Sequence, residues 1–187
     1  MQCKHLIAAL LAAATVPAFA QTYNIDPGHT FPSFEIAHNG ISVFRGKFTK
    51  TTGKIVLDRT AKTGSVDIAI DPKSFDIGHA KLNAHVMSAD MLNVEKFNNI
   101  TYKGTFSKFD GANPTAVAGE LTMMGVTKPV ALTINSLKCI IHPSMKREVC
   151  GADVSGEFNR TDFGLTYGPA HGSVIKLAIQ VEAPKAD

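Results

Sequence analysis

The chain has 187 residues, 19 Lys and Arg against 16 Asp and Glu, 44% hydrophobic side chains and no Trp. A formal net charge of +3, without a Lys/Arg run and with sparse aromatics, argues against nucleic acid and against a strongly acidic partner. The length suits one domain with a sizeable core and is short for two.

Residues 1–20 read as an export signal rather than part of the fold. Lys4 supplies the positive start, Leu6 to Val16 is apolar except for Thr15, and Ala18-Phe19-Ala20 is a small-residue cleavage pattern before Gln21. A retained anchor is the competing reading, but the apolar run is far shorter than the roughly 20 residues that span a bilayer. The expectation is a cleaved signal peptide over 1–20 and a single periplasmic domain over 21–187, with a net charge of about +2 once Lys4 is gone.

From Thr22 onward the pattern repeats every two residues, the mark of half-buried strands. Thr22 to Ile25 predicts a short strand and Asp26-Pro27-Gly28-His29 a turn. Phe34, Ile36 and His38 then share one face, as do Phe44, Gly46 and Phe48, and Gly53 lets the chain bend before Ile55 and Leu57. Val66, Ile68 and Ile70 alternate with polar neighbours until Asp71-Pro72. Between His79 and Leu92 the period changes: Leu82, His85, Val86 and Ala89 recur at helical spacing, which predicts a short helix or a pair of helical turns.

Strands resume with Ile100, Tyr102 and Phe106. Gly119 to Leu132 predicts a hairpin with one apolar side, carried by Val117, Leu121 and Met123 on one arm and Val130, Leu132 and Ile134 on the other, with Gly125 and Pro129 bracketing the turn. Val154 and Phe158 fall together, as do Ile175, Leu177, Ile179 and Val181. Many antiparallel strands with one helical break favour a closed barrel, since closure removes exposed edges; a sandwich is the alternative.

Cys3 leaves with the export segment, so Cys139 and Cys150 remain. An even pair in an exported chain predicts a disulfide stapling a hairpin with His142-Pro143-Ser144 near its tip; a redox-active pair is the alternative, without the close C-x-x-C spacing. Nucleophile elbows, phosphate loops and H-E-x-x-H helices are absent from the sequence, so the expectation is a non-enzyme with no catalytic residues and no required cofactor. The mature histidines, His29, His38, His79, His85, His142 and His171, are scattered; capped turns and satisfied polar contacts explain them more simply than a metal, and none is assigned. Arg160 falls on the Phe158 face, aimed at the barrel or its rim, to pair with Asp162 at the strand end or with a ligand head group.

Five segments taken in order resemble the YceI-like family of exported polyisoprenoid-binding proteins: YNIDPGHTFPSFEIAH from Tyr23, RGKF from Arg45, HVMSADMLNVEKF from His85, GELTMMGVTKPVAL from Gly119 and CGADVSGEFNRTDFG from Cys150. The resemblance implies an all-β, lipocalin-like, extended eight-stranded antiparallel barrel with a helical insertion, holding a long isoprenoid or similar amphiphilic lipid in an elongated cavity. This chain departs from the family pattern at Asn83, where an acidic residue is common, and at Asn98-Asn99, where a proline is common.

Combined with strand alternation, the resemblance predicts a ligand-binding lining of Phe34, Ile36, Phe44, Phe48, Ile68, Ile70, Leu82, Val86, Ile100, Tyr102, Phe106, Leu121, Met123, Val130, Leu132, Phe158, Ile175 and Leu177, with His38 and Arg160 as polar members. The expected function is periplasmic binding, transport or storage of a lipid of quinone or polyprenyl type. Transient contact with a membrane surface and a homodimer are compatible with such a carrier. A stress-protective or interaction protein with lipid as structural filler is the second reading.

Overall fold

Successive side chains of a strand point to opposite faces, and that rule builds nearly the whole molecule. A computed structural model describes residues 20–168 and 170–187; the expected export signal, save Ala20, falls outside the described residues. The elements are β1 (Gln21–Asn24), β2 (Phe31–His38), β3 (Ser42–Phe48), β4 (Thr51–Asp58), β5 (Thr63–Ile70), β6 (Phe75–Asp76), α1 (Ala80–Met87), β7 (Ile100–Asp110), β8 (Asn113–Met123), β9 (Val126–Ile141), β10 (Glu148–Asn159) and β11 (Val174–Pro184).

All strands join one antiparallel sheet in the order β1-β4-β5-β7-β8-β9-β10-β11-β2-β3-β6, which removes the sandwich alternative. The sheet curls until its edges approach. β1 lies between β4 and the end of β11, pairing Tyr23 with Ile55 on one side and bridging to Lys185 on the other. Asp26 N donates to Glu182 O and Ala186 N to Thr22 O, both across this seam. Higher up, the gap between β3 and β4 is spanned by the 3-10 turn Pro72–Ser74, by β6 on β3 and by α1. The strand count is therefore eleven rather than eight, the four-residue β1 and two-residue β6 being the short pieces that finish the curl.

Two local expectations change. The β8–β9 turn is only Met124-Gly125, both with positive φ (53° and 77°), the geometry of a two-residue hairpin that matches strand twist. Pro129 lies inside β9 opposite Glu120 rather than at the turn, beyond the last β9–β10 pair, Leu132 with Gly156, where a strand tolerates a missing amide donor. The predicted helix is shorter than His79 to Leu92. It stops at Met87, after which Leu92 N bonds Val86 O and Val94 N bonds Met87 O; these turns fold the chain back and bury Leu92 and Val94.

Asn83 ties α1 to the sheet by accepting from Ile77 N at 3.0 Å and donating to Asp76 Oδ1 at 2.9 Å. The bond from the Asn83 amide, followed by that from Gly78 N, holds the Asp76 carboxyl below its ordinary value. An acid at position 83 would face that carboxylate, so the departure from the family pattern has a local reason.

Gly53 sits in β4 with φ 142°, and a Cβ there would meet Asp67 O at 2.2 Å. The close approach of β4 to β5 thus requires glycine at the bend expected there.

Candidate functional site

The inward faces enclose a cavity of about 540 Å³, within the range of ligand pockets, about 300–1,000 Å³. Every residue of the predicted lining borders it: Phe34, Ile36, His38, Phe44 and Phe48 from β2 and β3; Ile68 and Ile70 from β5; Leu82 and Val86 from α1; Ile100, Tyr102 and Phe106 from β7; Leu121, Met123, Val130 and Leu132 from the β8–β9 hairpin; Phe158, Arg160, Ile175 and Leu177 beyond. The alternation reading missed other wall residues, among them Tyr23, Thr51, Tyr167, His171 and the cysteine Cys150.

The two ends differ. Towards the β2–β3 turn, lining residues reach solvent: Leu82 is 37% and Tyr167 48% exposed. At the opposite end Tyr23, Leu57, Cys150 and Ala183 form a second buried cluster. The cavity therefore has a mouth beside His38 and a floor beside the disulfide.

The floor is a covalent and polar seal. Cys139 and Cys150 stand directly opposite each other on β9 and β10 and are bonded, as cysteine counting predicts. Arg59, in the β4–β5 turn, places Nη2 2.8 Å from Cys139 Sγ and donates from Nη1 to Asn113 Oδ1 at 2.6 Å. Tyr23 donates its hydroxyl to Glu148 Oε1, and burial followed by that contact raises its pKa to about 12.

The mouth is held by Arg160. Its side chain is buried, 3% exposed, and no carboxylate pairs with it among the described residues. The expected pairing with Asp162 is therefore corrected. Nε donates to Gly172 O at 2.8 Å, Nη1 to Leu165 O at 2.7 Å and Tyr167 O at 2.8 Å, and Nη2 to Gly168 O at 3.0 Å and His171 O at 3.5 Å. A guanidinium has five donors in a fixed fork, so this loop satisfies all of them and leaves none for a ligand head group. Burial pushes its pKa down from the ordinary value, but an arginine stays charged.

Around this hub the mouth carries rings. His38 stacks on Phe44 with centroids 3.8 Å apart and meets His171 edge-on at 4.6 Å; His85 meets Tyr167 at 5.0 Å. His171 Nδ1 donates to Gly168 O at 3.1 Å, which leaves Nε2 as its acceptor. These groups offer hydrogen bonds and ring faces to a polar head.

Inside, polar atoms are few. Tyr102 donates to Val130 O at 2.8 Å, and burial raises its pKa to about 12. Thr51 is 1% exposed, borders the cavity, and its hydroxyl has no hydrogen-bond partner among the described residues. Two groups of ligand-type side chains also converge, Asp26 with His29 and Glu182, and Glu148 with the two cysteines. In the first, His29 Nδ1 lies 2.8 Å from Asp26 Oδ2; in the second, the sulfurs are bonded to each other.

A family model described as a YceI-like domain matches residues 23–183. A UPF0312 protein of Enterobacter sp. (strain 638) is 35% identical over 177 residues, 92% of this chain and 91% of that protein. The crystal structure of Burkholderia cenocepacia BcnA aligns with a TM-score of 0.67 at 20% identity, covering 85% of this chain and 99% of that one. A polyisoprenoid binding domain from Saccharophagus degradans, implicated in plant cell wall breakdown, aligns with a TM-score of 0.65 at 13% identity over 89% of this chain and 99% of that one. The last two likenesses concern the fold, and the family follows from the sequence match over nearly all of the described barrel: the chain belongs to the YceI-like family.

Proposed function

We propose that the protein binds a long-chain isoprenoid or similar amphiphilic lipid in its barrel and serves as a periplasmic carrier or store for it, without catalysis and without a required cofactor. The observation that carries this reading is the lumen, a cavity of about 540 Å³ walled by aliphatic and aromatic side chains from nearly every strand. The polyisoprenoid-binding domain of Saccharophagus degradans shares the fold and supports the ligand class.

Burying one methylene contributes roughly 0.8 kcal/mol, so ten tail carbons supply about 8 kcal/mol before association costs. One neutral head-group hydrogen bond contributes about 1 kcal/mol. The tail therefore sets affinity, and the mouth orients the head. Organic extraction of protein from its native source, followed by mass spectrometry, tests the reading; a long-chain lipid is expected, and its absence together with failure to bind added lipid overturns it. Met123→Arg places a charge on the inward face and is expected to abolish uptake in a folded protein.

A further inference from the structure

We propose that the mouth edge formed by β2, β3 and β11 docks on a lipid bilayer surface, with its outermost apolar row entering the interface. The inference rests on the carrier reading and names where the carrier meets its lipid.

Strand register sets the pattern. On the outer face at the mouth, Val43 pairs with Ala37; Ile36 pairs with Ile175, which brings Val174 beside Ala37 as the third member of the row. Val43 and Val174 are 44% and 42% exposed, and Ile41, in the β2–β3 turn above them, is 85% exposed. Two residues down the same face comes a charged row, Arg45–Glu35–Lys176–Glu157, set by the pairs Glu35↔Arg45, Lys176↔Glu35 and Glu157↔Lys176, with Arg45 Nε 2.8 Å from Glu35 Oε1. Two residues of strand span roughly 6.6 Å. Elements lying in a membrane interface bury their apolar face to about 5–10 Å and keep basic groups at headgroup level. The rows match that depth and order; the charged row is balanced in sign, so the apolar row above it carries the docking.

The patch also continues into the cavity. Leu82 and Tyr167 line the lumen and are exposed beside its opening, so apolar surface runs from outer wall to inner wall. Tyrosine is enriched at membrane interfaces because its ring and hydroxyl suit opposite sides of that boundary. A tail leaving a bilayer here would pass into the barrel without crossing water.

A second apolar tip, Ile140, Ile141 and Met145 in the β9–β10 hairpin, lies at the floor end. It serves as the control. Flotation with vesicles of phosphatidylethanolamine and phosphatidylglycerol compares the intact mature protein, Ile41→Asp/Val174→Asp and Ile141→Asp. All three positions are exposed, so folding is retained, which circular dichroism checks. The mouth variant is expected to lose vesicle partitioning by about tenfold or more, whereas Ile141→Asp partitions like the parent.

The mouth variant is also expected to take up geranylgeraniol from ethanol at the parent's level but more slowly from vesicles. Equal partitioning of parent and mouth variant, or loss only in Ile141→Asp, overturns the proposal. So does a parent dimer that the mouth variant dissociates without any vesicle binding, which assigns the patch to a second copy. No uptake of geranylgeraniol from ethanol by the parent would instead count against the carrier reading, while flotation still reports on docking.

Discussion

At the mouth, one guanidinium gathers the carbonyls of a loop; at the floor, a covalent bond joins two strands that already pair. Both ends must satisfy polar backbone or side chains next to an apolar lumen, where an unmatched group is costly. The floor does so with contacts among β1, β9, β10 and the β4–β5 turn, and carries no lining residue that opens to solvent at Tyr23, Leu57, Cys150 or Ala183. The mouth does so chiefly with one residue, helped at Gly168 O by His171, and leaves other rings and aliphatic side chains free to meet a ligand. A closed end is thus built by cross-linking strands, whereas an open end needs a loop held from behind.

The largest effect should come from breaking the mouth. Arg160→Leu removes the five guanidinium hydrogen bonds to the loop carbonyls and is expected to cost about 3–5 kcal/mol in denaturant unfolding. Arg160→Lys keeps the charge but not the fork, and is expected to recover little. Stability of the Lys variant equal to the parent would show that charge alone matters.

Breaking the floor should cost less. Replacing Cys139 and Cys150 together by Ser is expected to lower stability by roughly 2–3 kcal/mol through the closed-loop entropy, with lipid uptake retained, because the strands stay paired. Loss of uptake in a folded variant would make the floor part of the site.

A smaller effect separates the two in pH. The folded-state pKa values of Tyr23 and Tyr102 are raised from 10.0 to about 12. Their contribution is therefore full below pH 10.0 and is lost as pH rises through about 12. Tyr23→Phe, which also removes the bond to Glu148 at the floor, should flatten part of that alkaline decline and cost about 1 kcal/mol at neutral pH. An alkaline titration of unfolding free energy checks this.

The smallest effect belongs to Thr51. Thr51→Val removes an unbonded hydroxyl and should change the empty protein by less than about 1 kcal/mol in the stabilising direction. If a ligand hydroxyl or carbonyl uses Thr51, the same variant should weaken that ligand about tenfold relative to a hydrocarbon of equal length, which competition binding measures.

The wall was legible in the sequence because alternation is a local rule. Ile100, Tyr102 and Phe106 face inward for the same reason they recur two or four residues apart, and the hairpin arms around Met124-Gly125 follow suit. The turn itself was not legible, since a methionine with positive φ carries no turn signature while Pro129 does. The face of Arg160 could be read, but its partners could not. They are backbone carbonyls, and a carbonyl leaves no mark in a residue string. Tyr167 and His171 escaped for a related reason: they lie in irregular chain, where no period assigns an inside. Leu92 closes the stretch that helical spacing predicts, yet the helix ends at Met87 and the turns after it bury Leu92 together with Val94, a contact no period announces.

Because Arg160 grips main-chain oxygens, the course of the mouth loop is independent of most of the side chains it displays. Every amino acid carries the same carbonyl. Tyr167, whose carbonyl and not its ring is what Arg160 holds, can therefore be exchanged during evolution while the loop keeps its path, and ligand preference can drift at the entrance without a new scaffold having to be found. Relatives that share the arginine but differ at the position of Tyr167 would then be the same vessel fitted with different lips.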